Sequence, residues 1–271
     1  MAVVCTKENN FLKLLNFLRS FLLLFLPKTT ALKTIFALLS LTFFTVGFSQ
    51  QTKQDQRIWM AYVGQYKASP YWGYHMEAQF RMDNQLEQNL QNLFRVGVVY
   101  HLSEATNITT GYALVNTYST LIDDFFKENR LWEQYQVTTK WSKDVMINRF
   151  RLEQRWVEQV SFSGTDEVSS TTEYQNRFRV LNRFLWHVAQ LKSEKESFYL
   201  VLQNELFATL GQNPLNSKVI DQNRFLVGFG LNYSNTIRLE LGYLNHYITS
   251  SAGSDLMNHT VSISLFHNIV L

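Results

Sequence analysis

From residue 50 onward the chain reads as about eleven short segments in which apolar and polar residues alternate. It shows no helical period, and an export signal precedes it. These observations predict an all-β protein, an antiparallel transmembrane up-and-down β-barrel. Alternation with a period of two puts successive side chains on opposite faces of a strand. In Arg149-Phe150-Arg151-Leu152-Glu153-Gln154-Arg155-Trp156 one face carries Arg149, Arg151, Glu153 and Arg155, and the other Phe150, Leu152, Gln154 and Trp156. A soluble sheet turns such an apolar face to a core, whereas an outer-membrane barrel turns it to lipid and keeps the charges inside.

The chain has 271 residues and a formal charge of +3. Residues 1–49 hold Lys7, Lys13, Arg19, Lys28 and Lys33 against Glu8, so of the 25 basic and 22 acidic residues, 20 and 21 lie beyond that segment. No basic patch follows, and nucleic acid is excluded as a partner. Lys28 and Lys33 lead into the uncharged run 34–48, and Gly47-Phe48-Ser49 fits a small-x-small cleavage site before Gln50. That order of parts is a cleavable signal peptide; at about 15 residues the run is short of the roughly 20 that a membrane helix needs. A second apolar run at 11–26, broken by Lys13 and Arg19, marks a possible non-native extension. The expected organisation is therefore 1–49 signal peptide and 50–271 barrel. Cys5 is the only cysteine, so the exported part has no disulfide and no thiolate chemistry.

Segment by segment, 57–67 alternates loosely and Ser69–Gly73 turns the chain. In 74–83, Tyr74, Met76, Ala78, Phe80 and Met82 oppose His75, Glu77, Gln79, Arg81 and Asp83. Segments 91–102 and 107–118 follow, the second pairing Ile108, Thr110, Tyr112 and Leu114 with the small Thr109, Gly111 and Ala113. In 128–141 the apolar Leu131, Tyr135, Val137 and Trp141 oppose Glu128, Arg130 and Gln134, with Glu133 an exception on the apolar side. Ser142-Lys143-Asp144 is a tight turn into 146–160. Segment 173–187 sets Tyr174, Phe178, Val180, Phe184 and Trp186 against Glu173, Arg177, Arg179 and Arg183, with Asn176 and Asn182 interrupting the apolar face. Segments 198–208, 222–233, 237–247 and one beginning near Val261 complete the set. Pro70 and Pro214 fall between segments, where strands tolerate them.

These lengths match the 9–11 residues, about, of a tilted membrane strand. Bacterial single-chain barrels have even strand numbers, so 10 or 12 strands are expected, with the loose first segment the weakest. The connections 103–106, 142–145 and 234–235 are short and fall on one side. Those at 119–127, 161–172, 209–220 and 249–258 are longer and fall on the other. Tyr and Trp near segment ends suit the two membrane interfaces.

A unit of Asn, Arg and an apolar residue recurs at Asn129-Arg130-Leu131, Asn148-Arg149-Phe150, Asn176-Arg177-Phe178, Asn182-Arg183-Phe184 and Asn223-Arg224-Phe225. Together with Glu128-Asn129-Arg130-Leu131-Trp132, Arg149–Arg155 and Gly111-Tyr112, it makes the chain resemble a family of small outer-membrane barrels from Bacteroidetes known only as a domain of unknown function. The resemblance covers most of 57–271 and implies a barrel and no particular activity.

The candidate functional residues are the inward charges of three consecutive strands: Glu128, Arg130, Arg149, Arg151, Glu153, Arg155, Glu173, Arg177, Arg179 and Arg183. One reading is a salt-bridge network that fills the lumen of a structural or closed barrel. A second is a small anion-preferring pore, or a binder of phosphate or carboxylate solutes, because Arg is shaped for both groups. A third is a lipid-modifying outer-membrane enzyme, for which the scattered His75, His101, His187, His246, His259 and His267 supply no fixed nucleophile–base pair. No cofactor and no metal site are expected. The expected partners are outer-membrane lipid and the barrel-assembly machinery.

Overall fold

Each strand offers two faces, and the structure, a computed structural model, resolves which one turns inward. It describes residues 52–271 apart from 84–87, 121, 164–166, 192, 194, 212–217 and 251–253. The expected signal peptide, 1–49, lies outside the described residues. All the regular structure is β: β1 (Thr52–Lys67), β2 (Trp72–Asp83), β3 (Gln88–His101), β4 (Thr106–Ser119), β5 (Asp124–Trp141), β6 (Asp144–Ser163), β7 (Glu167–Gln190), β8 (Ser197–Leu210), β9 (Ile220–Asn232), β10 (Ile237–Ile248) and β11 (Asp255–Val270). They close into one barrel in sequence order.

The barrel has eleven strands, not 10 or 12. The expectation of an even number assumed antiparallel closure. Here β1 pairs with β11 in parallel, from Thr52↔Asp255 to Lys67↔Val270, while every other neighbouring pair is antiparallel. The sheet is therefore mixed. The loose first segment proves to be a full strand of 16 residues.

One of the long connections expected on one side is mostly strand. The loop placed at 161–172 is the end of a hairpin in which β6 and β7 stay paired to Ser163↔Glu167. β5 stops pairing with β6 at Glu128↔Val157, so the far end of that hairpin runs past the neighbouring strand as a two-stranded ribbon. This is why β6 and β7 reach 20 and 24 residues. The turn Ser142-Lys143 is a two-residue hairpin loop between partners Trp141 and Asp144, with Ser142 at φ 56°.

The apolar face points outward. Met76, Phe80, Phe94, Val96, Leu114, Leu131, Leu202, Phe229, Leu241 and Ile263 are all exposed. The charged face points inward, where Arg95, Arg130, Arg151, Glu153, Arg177, Arg179 and Glu205 are buried. Small residues make room for this filling. Gly97 and Gly111 face each other across β3 and β4, and the Trp132 indole lies over both. A Cβ on either would come within 2.9 Å of that ring.

Candidate functional site

The inward residues meet across the lumen because opposite walls of so narrow a barrel are within side-chain reach. Three glutamates anchor the middle. Glu128 accepts from Arg130 Nη2 at 2.9 Å and from Arg155 Nη2 at 3.0 Å. Glu153, with 0% of its surface exposed, accepts from Arg177 Nη2 and Arg179 Nη1, both at 2.6 Å, and lies 3.5 Å from Arg95 on β3. Glu205 accepts from Arg179 Nη2 at 2.6 Å and Arg149 Nη2 at 2.7 Å. Two further carboxylates extend the set: Glu77 pairs with Arg95, and Glu240 pairs with Arg183 and lies 3.4 Å from Arg238.

Nine of the ten candidate residues thus make ion pairs inside the barrel, in three groups centred on Glu128, on Glu153 with Glu205, and on Glu240. Arg151 belongs to the middle group through Glu153, 3.9 Å away, and donates to Gln134 at 2.7 and 3.1 Å. Glu173 is the exception. It shares the inward face of β7 but sits opposite Val157, near the point where β6 and β7 leave the wall, and makes no ion pair among the described residues.

Arginine still outnumbers glutamate. Arg81, Arg95, Arg130, Arg149, Arg151, Arg155, Arg177, Arg179, Arg183, Arg224 and Arg238 face five glutamates. Aromatic faces back both the surplus arginines and several of the paired ones. Arg81 and Arg224 lie 4.1 and 4.9 Å from the Trp59 ring centre. Arg151 is 4.8 Å from Trp132, Arg179 and Arg224 are 4.5 and 4.4 Å from Phe207, and Arg238 is 4.2 Å from Phe266. A guanidinium over a ring face is attracted by the ring quadrupole, more strongly where water is scarce. The lumen is a stack of aromatic plates and guanidinium groups stitched by carboxylates.

Sequence reading confined the site to three consecutive strands and so omitted Glu77, Arg81, Arg95, Glu205, Arg224, Arg238 and Glu240. All seven alternate onto the polar faces of their strands, and that was the signal available. The four aromatic plates were harder to find, because Trp59, Trp132, Phe207 and Phe266 are apolar residues on charged faces.

His75 spends both ring nitrogens on neighbours: Nδ1 is 2.6 Å from Gln65 Nε2, and Nε2 is 3.3 Å from Glu77 Oε2. Among the described residues no three His, Cys, Asp or Glu side chains gather as a metal site. A cleft of about 710 Å³ opens where β3 to β7 end, between Asn92, Asn116, Asp124, Lys127 and Glu158.

No curated protein and no solved structure matches the chain. Residues 56–258 match the family described as "Protein of unknown function (DUF2490)". That span runs from within β1 to the opening of β11 and takes in every Arg and Glu of the lumen set. The chain is a member of the DUF2490 family.

Proposed function

We propose that this protein is an integral β-barrel of the bacterial outer membrane, exported through a cleaved signal peptide and inserted by the barrel-assembly machinery, and that its lumen is closed. One observation carries the membrane part: an apolar outer surface encloses a charged interior. A soluble barrel would have the reverse, since an exposed apolar surface of this extent favours lipid or partner contact. The strands also exceed the roughly 9–11 residues that a tilted crossing requires.

The Arg–Glu–aromatic stack supports a closed lumen. Its charges are buried in mutual contact, so the interior acts as a scaffold that fixes register and shape. Planar-bilayer recording on the folded, inserted protein tests this. A closed barrel gives no steady current, and its arginine variants lose stability only.

A second reading is supported by Arg81. It is held by Gln79 and Gln91 rather than by a carboxylate, which leaves cationic capacity for a phosphate or carboxylate solute. A steady, anion-selective current weakened by Arg151→Ala or Arg179→Ala would establish that reading and overturn the closed barrel.

A further inference from the structure

The outer face is not uniformly apolar. In each of the five Asn-Arg-apolar units, Arg turns into the lumen and Asn turns outward beside the apolar residue two positions on. The barrel's register then lines several of these amides up. Asn148 on β6, itself buried, is the partner of Asn182 on β7, and Asn182 is the partner of the half-buried Asn204 on β8. Asn204 Nδ2 donates to Asn223 Oδ1 on β9 at 3.3 Å. The result is a row of four amides running across four strands.

A second polar row lies toward the other end of β6 and β7 and reaches β5. Gln154 is the partner of Asn176 and donates to Glu133 Oε2 at 3.1 Å, and Tyr174 donates to Asn176 Oδ1 at 2.8 Å. Between the rows sit two apolar pairs, Phe150↔Val180 and Leu152↔Phe178.

Lipid headgroups solvate polar side chains at strand ends, but Asn204 stands at the middle of β8 (Ser197–Leu210). Asn182 is exposed, and its side chain has no hydrogen-bond partner among the described residues. In hydrocarbon such an amide is costly unless another polar group meets it.

We propose that this face of β6 to β9 is the contact surface for a second copy of the same chain, centred on Asn182 and Asn204. The proposal rests on the membrane reading above. Two copies in one bilayer with the same orientation are related by an axis along the membrane normal, so residues near the axis meet their own counterparts. A surface of that kind has to complement itself. Asn does so, because one neutral group carries both donors and an acceptor.

The test uses the full chain in a Cys5→Ser background, reconstituted into phosphatidylethanolamine–phosphatidylglycerol vesicles, with insertion checked by heat-modifiable gel mobility and protease resistance. Asn182→Cys is expected to form an oxidant-dependent covalent dimer, while Met76→Cys, on β2 at the opposite wall, does not. The mass of the detergent-extracted protein is expected to be that of a dimer and to fall to half in the Asn182→Leu, Asn204→Leu double variant with heat-modifiability retained. An inserted protein that is monomeric at every concentration overturns this inference alone, as does equal cross-linking at both positions. A protein that never enters the vesicles overturns the membrane reading itself.

Discussion

Arg95 and Glu153 stand three strands apart around the wall, on β3 and β6, yet their side chains come within 3.5 Å. The contact crosses the lumen. Glu153 holds Arg177 and Arg179 as well, and Arg151 lies 3.9 Å from it. Removing the carboxylate leaves four guanidinium groups facing one another where water is scarce. Breaking a buried ion pair by deleting one partner costs about 3–5 kcal/mol. Glu153→Gln is expected to lose stability of that order in urea unfolding from vesicles. Glu158→Gln, at the margin of the β6–β7 ribbon, is expected to lose less than about 1 kcal/mol.

On the closed-lumen reading, the same ion pairs also set what the barrel conducts. Arg179 bridges Glu153 and Glu205, so Arg179→Ala leaves two carboxylates short of a partner without opening a path through the remaining stack. Single-channel recording is expected to show no steady current for the wild type and none for Arg179→Ala, whose unfolding midpoint in urea falls. A steady wild-type current would refute the closed lumen.

Trp132 fills the lumen only because β3 and β4 present no side chain beneath it. A Cβ at Gly111 would lie 2.0 Å from the Val96 carbonyl oxygen and 2.9 Å from the indole. Gly111→Ala therefore displaces either the β3 backbone or the ring. Overpacking of this kind costs about 1–3 kcal/mol. The expected outcome is that loss, seen in urea unfolding, together with a shift in Trp fluorescence.

Ser142 opens the β5–β6 turn with φ 56°, a conformation that costs an L-residue energy and glycine little. Two-residue hairpins with positive φ at the first position favour glycine there. Ser142→Gly is expected to raise stability by about 0.5–1 kcal/mol, measured against the wild type in the same unfolding assay.

Much of the wall was legible because alternation is a property of each strand alone. Tyr74, Met76 and Phe80 announce an outer face wherever the strand ends up. What alternation leaves open is who meets whom across the interior. Arg183 pairs with Glu240, three strands along, and nothing in the spacing of residues 183 and 240 announces it. The aromatic plates were hidden for a related reason. Trp59 and Phe207 break the charged pattern, and only the closed barrel shows that guanidinium groups lie against them. The strand count miscarried through a rule about closure, although the segments themselves numbered eleven.

The parallel seam between β1 and β11 has a consequence for how this wall is assembled. Every other pair of neighbours is consecutive in sequence and can form as a local hairpin. The seam alone unites the two extremities of the described sequence, so its contacts carry the largest loop-closure entropy and form last. Until then β1 is an open edge. Its leading half, with Lys53, Asp55 and Arg57, carries the charges that keep such an edge from recruiting the wrong strand. The slanted hydrogen bonds of a parallel pair are slightly weaker per residue than those elsewhere in the wall, and the seam makes up for it in length, with 16 paired residues against 11 between β9 and β10.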